Sequence, residues 1–284
     1  MKVAKTIESV RKLVKAARRK GERIGFAPTM GALHIGHISL IEKAKQQTDF
    51  VIVSIFVNPT QFSPGEDLKK YPRPLKADLE ICKKVGVDVV FTPAAKQMYP
   101  RENLTWVNVE KLTEPLCGRF RPGHFRGVAT VCMKLFNIVA PDIAFFGQKD
   151  AQQAIVIKKM VADLNMPLKI VVCPTVRQGS GLAVSSRNQY LTEQEKEDAT
   201  LIYKSLQKCQ KLIEDGVTNS KTIISQMRKV LQQAQSIKIE YISIVDAETA
   251  QPVDKIIGGV LIAAAVKIGS TRLIDNILLD VKKQ

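Results

Sequence analysis

Residues 23–173 alternate short, nearly unbroken apolar runs with longer stretches in which apolar side chains recur every three or four positions. The short runs predict strands at 24–27, 50–57, 87–92, 143–146 and 168–172, and the longer ones helices at 38–47, 75–85, 128–139 and 152–164. The run Phe50-Val51-Ile52-Val53-Ser54-Ile55-Phe56-Val57 has almost no polar position and so no face to offer water. Such a strand belongs at the centre of a parallel sheet covered by helices on both sides. The order of elements predicts an α/β fold, a Rossmann-like doubly wound parallel sheet.

Past Pro174 the texture changes. A Gly- and Ser-containing loop at 178–188 leads into a charged helix at 193–215 and a second at 220–235, followed by strands at 237–245, 260–268 and 271–278. This predicts a smaller C-terminal α+β domain, with the division at 1–176 and 177–284. No low-complexity linker separates the two, so they should lie against each other, with a cleft between them as the natural ligand site.

The chain carries 43 Lys and Arg against 27 Asp and Glu, a net charge of +16, and +13 of it falls in residues 1–176. Part of that excess, Arg11, Lys12, Lys15, Arg18, Arg19, Lys20 and Arg23, interleaves at helical spacing with Ile7, Val10, Leu13, Val14 and Ala17. It reads as the solvated face of an amphipathic helix, not as a nucleic-acid or membrane patch. With 45% apolar and 25% charged residues the chain is neither disordered nor low-complexity. Five cysteines without CxxC spacing read as reduced, buried thiols. The first residues hold no apolar signal core and no run approaches the ~18 apolar residues of a membrane span, so a soluble, cytoplasmic protein is expected.

The chemistry concentrates after the first sheet strand, in Pro28-Thr29-Met30-Gly31-Ala32-Leu33-His34-Ile35-Gly36-His37. In an open α/β sheet, ligands bind beyond the carboxyl ends of the strands, where this turn must lie. If His34 and His37 open the next helix, their spacing puts both rings on one face, beside backbone N–H groups that attract anions. Gly31 and Gly36 would let a ligand approach. Zinc is disfavoured, because His124 is the remaining histidine and no cysteine pair is spaced for metal. Neither a P-loop nor a GxGxxG fingerprint is present. A polyphosphate suits the turn.

His34-Ile35-Gly36-His37 is similar to the HxGH signature of the nucleotidyltransferase superfamily. With it, in order, stand Phe56-Val57-Asn58-Pro59-Thr60-Gln61-Phe62, Arg121-Pro122-Gly123-His124-Phe125-Arg126-Gly127-Val128, Phe145-Phe146-Gly147-Gln148-Lys149-Asp150-Ala151-Gln152-Gln153 and Ser185-Ser186-Arg187-Asn188. From about Ile24 onward this series resembles the pantothenate synthetase family. The resemblance implies ligation of pantoate and β-alanine through a pantoyl adenylate, with ATP as substrate, Mg2+ as its companion, and a homodimer. It implies ATP binding by Met30, Gly31, Ala32, Leu33, His34, Ile35, Gly36 and His37, by Gly147, Gln148, Lys149 and Asp150, and by Val176, Val184, Ser185, Ser186 and Arg187. His37, His34 and Lys149 would be catalytic, with the ring near the triphosphate favoured as a cation. Gln61 and Gln153 would bind pantoate, residues 177–284 would close over the ATP site, and no protein residue is assigned to metal.

Asn58 is a weaker candidate, since Asn-Pro is an ordinary turn signal, and Asp78 reads as a solvated helix carboxylate. Ile35 stands where the family commonly has Glu, as does Gln148, while Gln178 and Val184 replace common Glu and Met. None of these removes a group the chemistry requires. The competing readings are another small-molecule adenylyl- or cytidylyltransferase and a tRNA-binding protein like a class I synthetase. The second lacks a basic-aromatic pattern for stacking bases.

Overall fold

The computed structural model describes residues 1–281. Strands β1 (Lys2–Ala4), β2 (Ile24–Thr29), β3 (Phe50–Ile55), β4 (Val89–Phe91), β5 (Ile143–Gly147) and β6 (Lys169–Cys173) form one sheet in the order β1-β4-β3-β2-β5-β6. Every pairing in it is parallel. The helices are α1 (Ile7–Arg19), α2 (Ile35–Gln47), α3 (Leu75–Val85), α4 (Ala95–Met98), α5 (Cys117–Phe120), α6 (His124–Val139) and α7 (Ala151–Asp163). The doubly wound sheet expected from the alternating pattern is therefore present.

Its two-sided burial explains the unbroken apolar strands. Ile52 of β3 packs with Phe26, Val10, Phe136 and Ile157 on the α1, α6 and α7 side. Val51 and Val53, pointing the other way, pack with Leu40, Ile41 and Cys82 of α2 and α3. All five cysteines are free and buried, as their apolar surroundings suggest. Burial pushes the Cys132 thiol up to about 12, which leaves it inert at neutral pH.

Strand order decides where a ligand can go. From β2 the chain steps outward through β3 and β4, then returns to place β5 on the other side of β2, so β2 and β5 flank the topological switch point. Loops leaving that point diverge and open a crevice at the carboxyl ends of these strands. The His34–His37 turn leaves β2 and the Gly147–Asp150 turn leaves β5. The three-residue edge strand β1 has no counterpart in the sequence pattern, because of its residues Ala4 alone is buried.

Helices α8 (Glu193–Glu214) and α9 (Ser220–Leu231) precede an antiparallel sheet of β7 (Ile237–Asp246), β8 (Gly258–Ile268) and β9 (Thr271–Val281), in the order β7-β8-β9. Leu206, Ile223, Ile262 and Val266 form the core between the helices and this sheet. The small C-terminal α+β unit thus has its own interior.

One buried ion pair ties the loop after β6 to β9. Asp275 takes both guanidinium nitrogens of Arg177, with Nη2 donating at 2.9 Å, and the two side chains are 3% and 16% exposed. The Arg177 guanidinium also lies 3.7 Å over the Tyr203 ring. Removing one partner leaves the other charge buried and uncompensated, at a cost of about 3–5 kcal/mol. Arg177→Met is expected to lower stability in urea unfolding by that amount. A loss of a few tenths would mean that water already screens the pair.

Candidate active site

The turn after β2 is built around a carboxylate. Gly31 and Ala32 both have left-handed backbone, at φ 83° and 51°, which frees the next N–H groups from any helix or strand partner. Asp78 on α3 accepts from Ala32 N–H at 3.0 Å and from Leu33 N–H at 2.7 Å. It is 1% exposed, so its reading as a solvated carboxylate is overturned: it is the internal cap of this turn. Burial raises its pKa, and the two N–H donors work against that rise. A Cβ on Gly31 would lie 2.9 Å from Asp78 Oδ2 and 2.9 Å from Ile55 Cγ2. The glycine serves the backbone and its carboxylate, since a side chain there would run into protein. A Cβ on Gly36 would likewise meet the His34 ring, at 3.0 Å.

His34 is the N-cap of α2 and His37 its third residue, an imidazole version of the capping box. His34 Nδ1 accepts from Gly36 N–H at 3.2 Å, and His37 Nδ1 accepts from His34 N–H at 3.3 Å. Because both Nδ1 atoms accept, the hydrogen-bond network assigns the ring protons to Nε2. The rings lie side by side, centroids 4.1 Å apart. Burial, then the nearby Lys149, holds His34 down at about 4, with Asp150 pulling the other way. Burial, then His34 itself, holds His37 at about 3. Without ligand both rings are neutral, so the cationic ring expected from the sequence is not the resting state. Each presents an Nε2–H donor instead. Ile35, 55% exposed, projects away from this pair.

Across the switch point, a Cβ on Gly147 would meet nothing within 4 Å, leaving open space at the end of β5. Gln148–Asp150 form a single 3-10 turn leading into α7. Lys149 is 21% exposed, with Nζ 3.9 Å from Asp150 Oδ1. Gln148 turns away and donates to Asn276 Oδ1 at 2.8 Å. The third segment begins where Val184 N–H donates to the Val176 carbonyl at 3.0 Å, leaving the Val176 N–H and one carbonyl lone pair for other partners. Ser185 Oγ accepts from Arg187 N–H and so caps the turn Ser186–Tyr190. The Arg187 guanidinium is not free: Nε and Nη2 each donate to Asp67 at 3.0 Å.

Gln61 is buried in the turn Pro59–Gln61 after β3, and its orientation is set by Asn58. Asn58 Nδ2 donates to Gln61 Oε1 at 3.1 Å and to the Gly127 carbonyl at 3.2 Å, while its Oδ1 accepts from Tyr99 OH at 2.9 Å. Gln61 Nε2 is thereby the end left to a ligand, and it rests 3.1 Å from Met30 Sδ, against the histidine turn. His124, unassigned by sequence, supports the same residue. Arg121 Nη1 can only donate to His124 Nε2, at 3.0 Å, so His124 Nδ1–H donates to the Gln61 carbonyl at 2.8 Å. Arg121 is in turn paired with Glu66 at 2.6 Å.

Between the two halves lies a cleft of about 1140 Å³ whose walls include Lys149, Asp150, Gln153, Ser185 and Arg187. His34, His37 and Gln61 are not part of that wall, although both histidines lie close enough to Lys149 and Asp150 to feel their charges. Asp78, Asp67, Asn58 and His124 are the residues sequence reasoning missed or discounted; each has a partner 45 or more positions away, beyond any local pattern. Among the described residues no cluster of three His, Cys, Asp or Glu side chains is arranged to hold a metal.

A parallel sheet with a histidine pair at its switch point and a lysine turn facing it defines an HxGH-type nucleotidyltransferase domain. The comparisons narrow the class. The family model for pantoate-beta-alanine ligase matches residues 2–278, and the chain belongs to that family. It is 51% identical to the pantothenate synthetase of Acetivibrio thermocellus, covering 99% of this chain and 100% of that one. It is 53% identical to that of Moorella thermoacetica, over 99% of each. The crystal structure of the Thermus thermophilus enzyme superposes with a TM-score of 0.93 at 39% identity, covering both chains completely. That of the Francisella tularensis ligase, complexed with beta-gamma ATP and β-alanine, superposes at 0.81 with 40% identity, over 98% of this chain and 97% of that one. The reaction is ATP-dependent ligation of pantoate to β-alanine.

The histidine pair and the Gln61 turn each lead to an expected outcome. The unfolded chain protonates its histidines near pH 6.5, whereas folded His34 and His37 resist protonation down to about 4 and about 3. Their contribution to stability is complete above pH 6.5 and declines as pH falls through this window. Ring NMR should show no titration of either residue above about pH 5, and a triphosphate analogue should raise both midpoints; titration near 6.5 in the free protein would refute the neutral assignment. The second outcome concerns Gly127, where a Cβ would lie 2.3 Å from the Thr60 carbonyl oxygen and 2.8 Å from Gln61 Cα. Gly127→Ala should displace the Gln61 turn and raise the pantoate KM with the ATP KM little changed.

Proposed function

We propose that the cleft at the switch point carries out the ligation in two steps with the following assignment of residues. The observation behind it is the convergence, from the ends of β2 and β5, of two neutral imidazole donors and Lys149. In the first step a pantoate carboxylate oxygen attacks the α-phosphorus of ATP and pyrophosphate leaves. Two anions must meet, so the barrier depends on donors already in place around the phosphates. His34 and His37 offer Nε2–H groups whose opposite edges are anchored to backbone, Lys149 supplies the charge, and Ser185, Ser186 and Arg187 cover the triphosphate. Gly147 leaves room for the nucleotide, with Met30–His37, Gln148, Asp150, Val176 and Val184 completing its contacts. In the second step the amine of β-alanine attacks the acyl carbon and AMP leaves. No protein nucleophile is required.

Gln61 and Gln153 hold pantoate. A glutamine suits this role because it orients the carboxylate without a formal positive charge that would weaken the nucleophile. The Asn58 bond to Oε1 keeps the donating end of Gln61 toward the substrate. Mg2+ would accompany the triphosphate and screen its charge. It keeps much of its own water and takes one or two carboxylates from a protein. Asp150, with a side chain 51% exposed beside Lys149, fits that modest demand.

Division of the chain at 176/177 separates a nucleotide- and pantoate-binding domain from one that closes over ATP. Arg187 would then exchange Asp67 for phosphate as the domains close. The homodimer is carried over from the family resemblance, and Leu104, 82% exposed in the irregular segment before α5, is an apolar side chain that such an interface would cover. No helix is long and apolar enough to cross a membrane among the described residues, which is compatible with the cytoplasmic assignment.

The test is pyrophosphate exchange into ATP, measured with and without pantoate, followed by addition of β-alanine. Exchange should require pantoate. His37→Ala and Lys149→Ala should each reduce it by about 10²–10³-fold, the magnitude of a lost donor to developing charge, with circular dichroism unchanged. Full exchange in either variant would overturn the assigned roles.

A further inference from the structure

Lys149 stands on a three-residue turn whose polypeptide is held from the C-terminal half of the chain. Asn276 of β9 is 5% exposed and uses its amide fully. Its Nδ2 donates to the Gln148 carbonyl at 3.0 Å and to the Lys149 carbonyl at 2.9 Å. Its Oδ1 accepts from Gln148 Nε2 at 2.8 Å. These bonds tie down the backbone carbonyls of the short 3-10 turn. They also cross between the halves, joining positions separated by 127 and 128 residues.

The preceding residue grips the opposite wall. Asp275 holds Arg177, and Arg177 donates to the Gly181 carbonyl at 3.2 Å, within the loop that runs from Val176 to Ser185. Successive strand residues point to opposite sides. Asp275 and Asn276 therefore reach in two directions from one rigid strand, one toward each phosphate-facing segment. Asp275 Oδ1 further accepts from Asn276 N–H at 2.8 Å, which couples the two grips.

We propose that Asn276 is a positioning residue for the adenylation step, holding the Gln148–Asp150 turn so that Lys149 meets the phosphates, and that with Asp275 it sets the spacing of the two walls. The inference rests on Lys149 acting on ATP as assigned above. A flexible lysine is itself a point charge with a long stem, so its placement depends on the backbone that carries it. Residues that hold a reacting group within a fraction of an ångström affect rate without touching substrate. Asn276 touches backbone carbonyls and the Gln148 amide, so its effect must pass through the turn.

Asn276→Asp is the informative variant. It keeps the size and the Oδ1 acceptor but replaces the donor with a second oxygen facing two carbonyls. Asn276→Ala removes both. Ser236→Ala serves as the control for simple loss of stability: it deletes a hydrogen bond to Asp198 inside the C-terminal half, far from the turn. All three are assayed as full-length protein, together with Lys149→Ala. Both Asn276 variants should raise the ATP KM about tenfold and slow pantoate-dependent exchange about tenfold. Single-turnover reaction of supplied pantoyl adenylate with β-alanine should stay within twofold, whatever the loss of thermal stability. Ser236→Ala should leave both ATP parameters unchanged. If Lys149→Ala abolishes exchange while Asn276→Asp keeps a wild-type ATP KM and rate, the positioning role is overturned and the lysine assignment stands. If Lys149→Ala exchanges normally, the underlying reading fails first. An equal loss in the exchange and β-alanine half-reactions would make Asn276 merely structural.

Discussion

The site depends on one carboxylate accepting two backbone N–H groups. The left-handed pair Gly31 and Ala32 turns the chain sharply out of β2, and such a turn inside a protein strands its amides. Asp78 satisfies them from α3, which packs on the same face of the sheet. With the turn held, His34 arrives as the N-cap of α2 and His37 sits one turn later. Their Nδ1 atoms are consumed by the helix start, and that fixes which edge of each ring remains. Hydrogen bonds to the two residues just before His34 thus decide the tautomer that meets the ligand.

Neutral rings also resolve an electrostatic difficulty. Two imidazolium ions 4.1 Å apart beside Lys149 would repel one another strongly, and burial would add to the cost. Kept neutral, the rings are polar donors that need no counter-charge before ATP arrives. Under the proposed assignment a triphosphate would stabilise the protonated form, linking proton uptake by the site to nucleotide binding. The arginine of the third segment is handled differently. Guanidinium cannot be neutralised, so Arg187 is kept paired with Asp67 in the absence of ligand, and the pair holds the Asp67 carboxyl below its usual range against the pull of burial.

Much of the fold was legible because both faces of the large sheet are buried. Residues 75–85 read as a helix and form one, and β3 is marked by its uninterrupted apolar run. Where burial is slight the signal vanishes, as in β1 with its single buried residue. α6 starts at His124, four positions before its apolar periodicity becomes evident, since polar residues at its first turn serve the Gln61 network. Histidines, lysine and arginine of the site stand out by residue type and order. Asp78 and Asn276 do not, because an Asp on an exposed-looking helix and an Asn in a strand acquire meaning only from partners brought close by the fold.

Those partners reveal how the net charge of +16 bears on function. The basic residues of α1 lie on its outer face, and Arg18 is engaged by Asp142 and the Ala140 carbonyl, away from the cleft. Of the seven Lys and Arg side chains lining the cleft, five have a carboxylate within 4 Å: Lys149 with Asp150, Arg187 with Asp67, Arg121 with Glu66, and Arg272 and Lys267 with Glu240, leaving Lys69 and Lys70 without one among the described residues. The cleft holds most of its cations beside carboxylates that offset their charge, a role that bound phosphates would take over under the proposed assignment. Under the same assignment, ATP binding would rearrange ion pairs across the two halves of the chain and so tie closure of the cleft to the presence of the triphosphate.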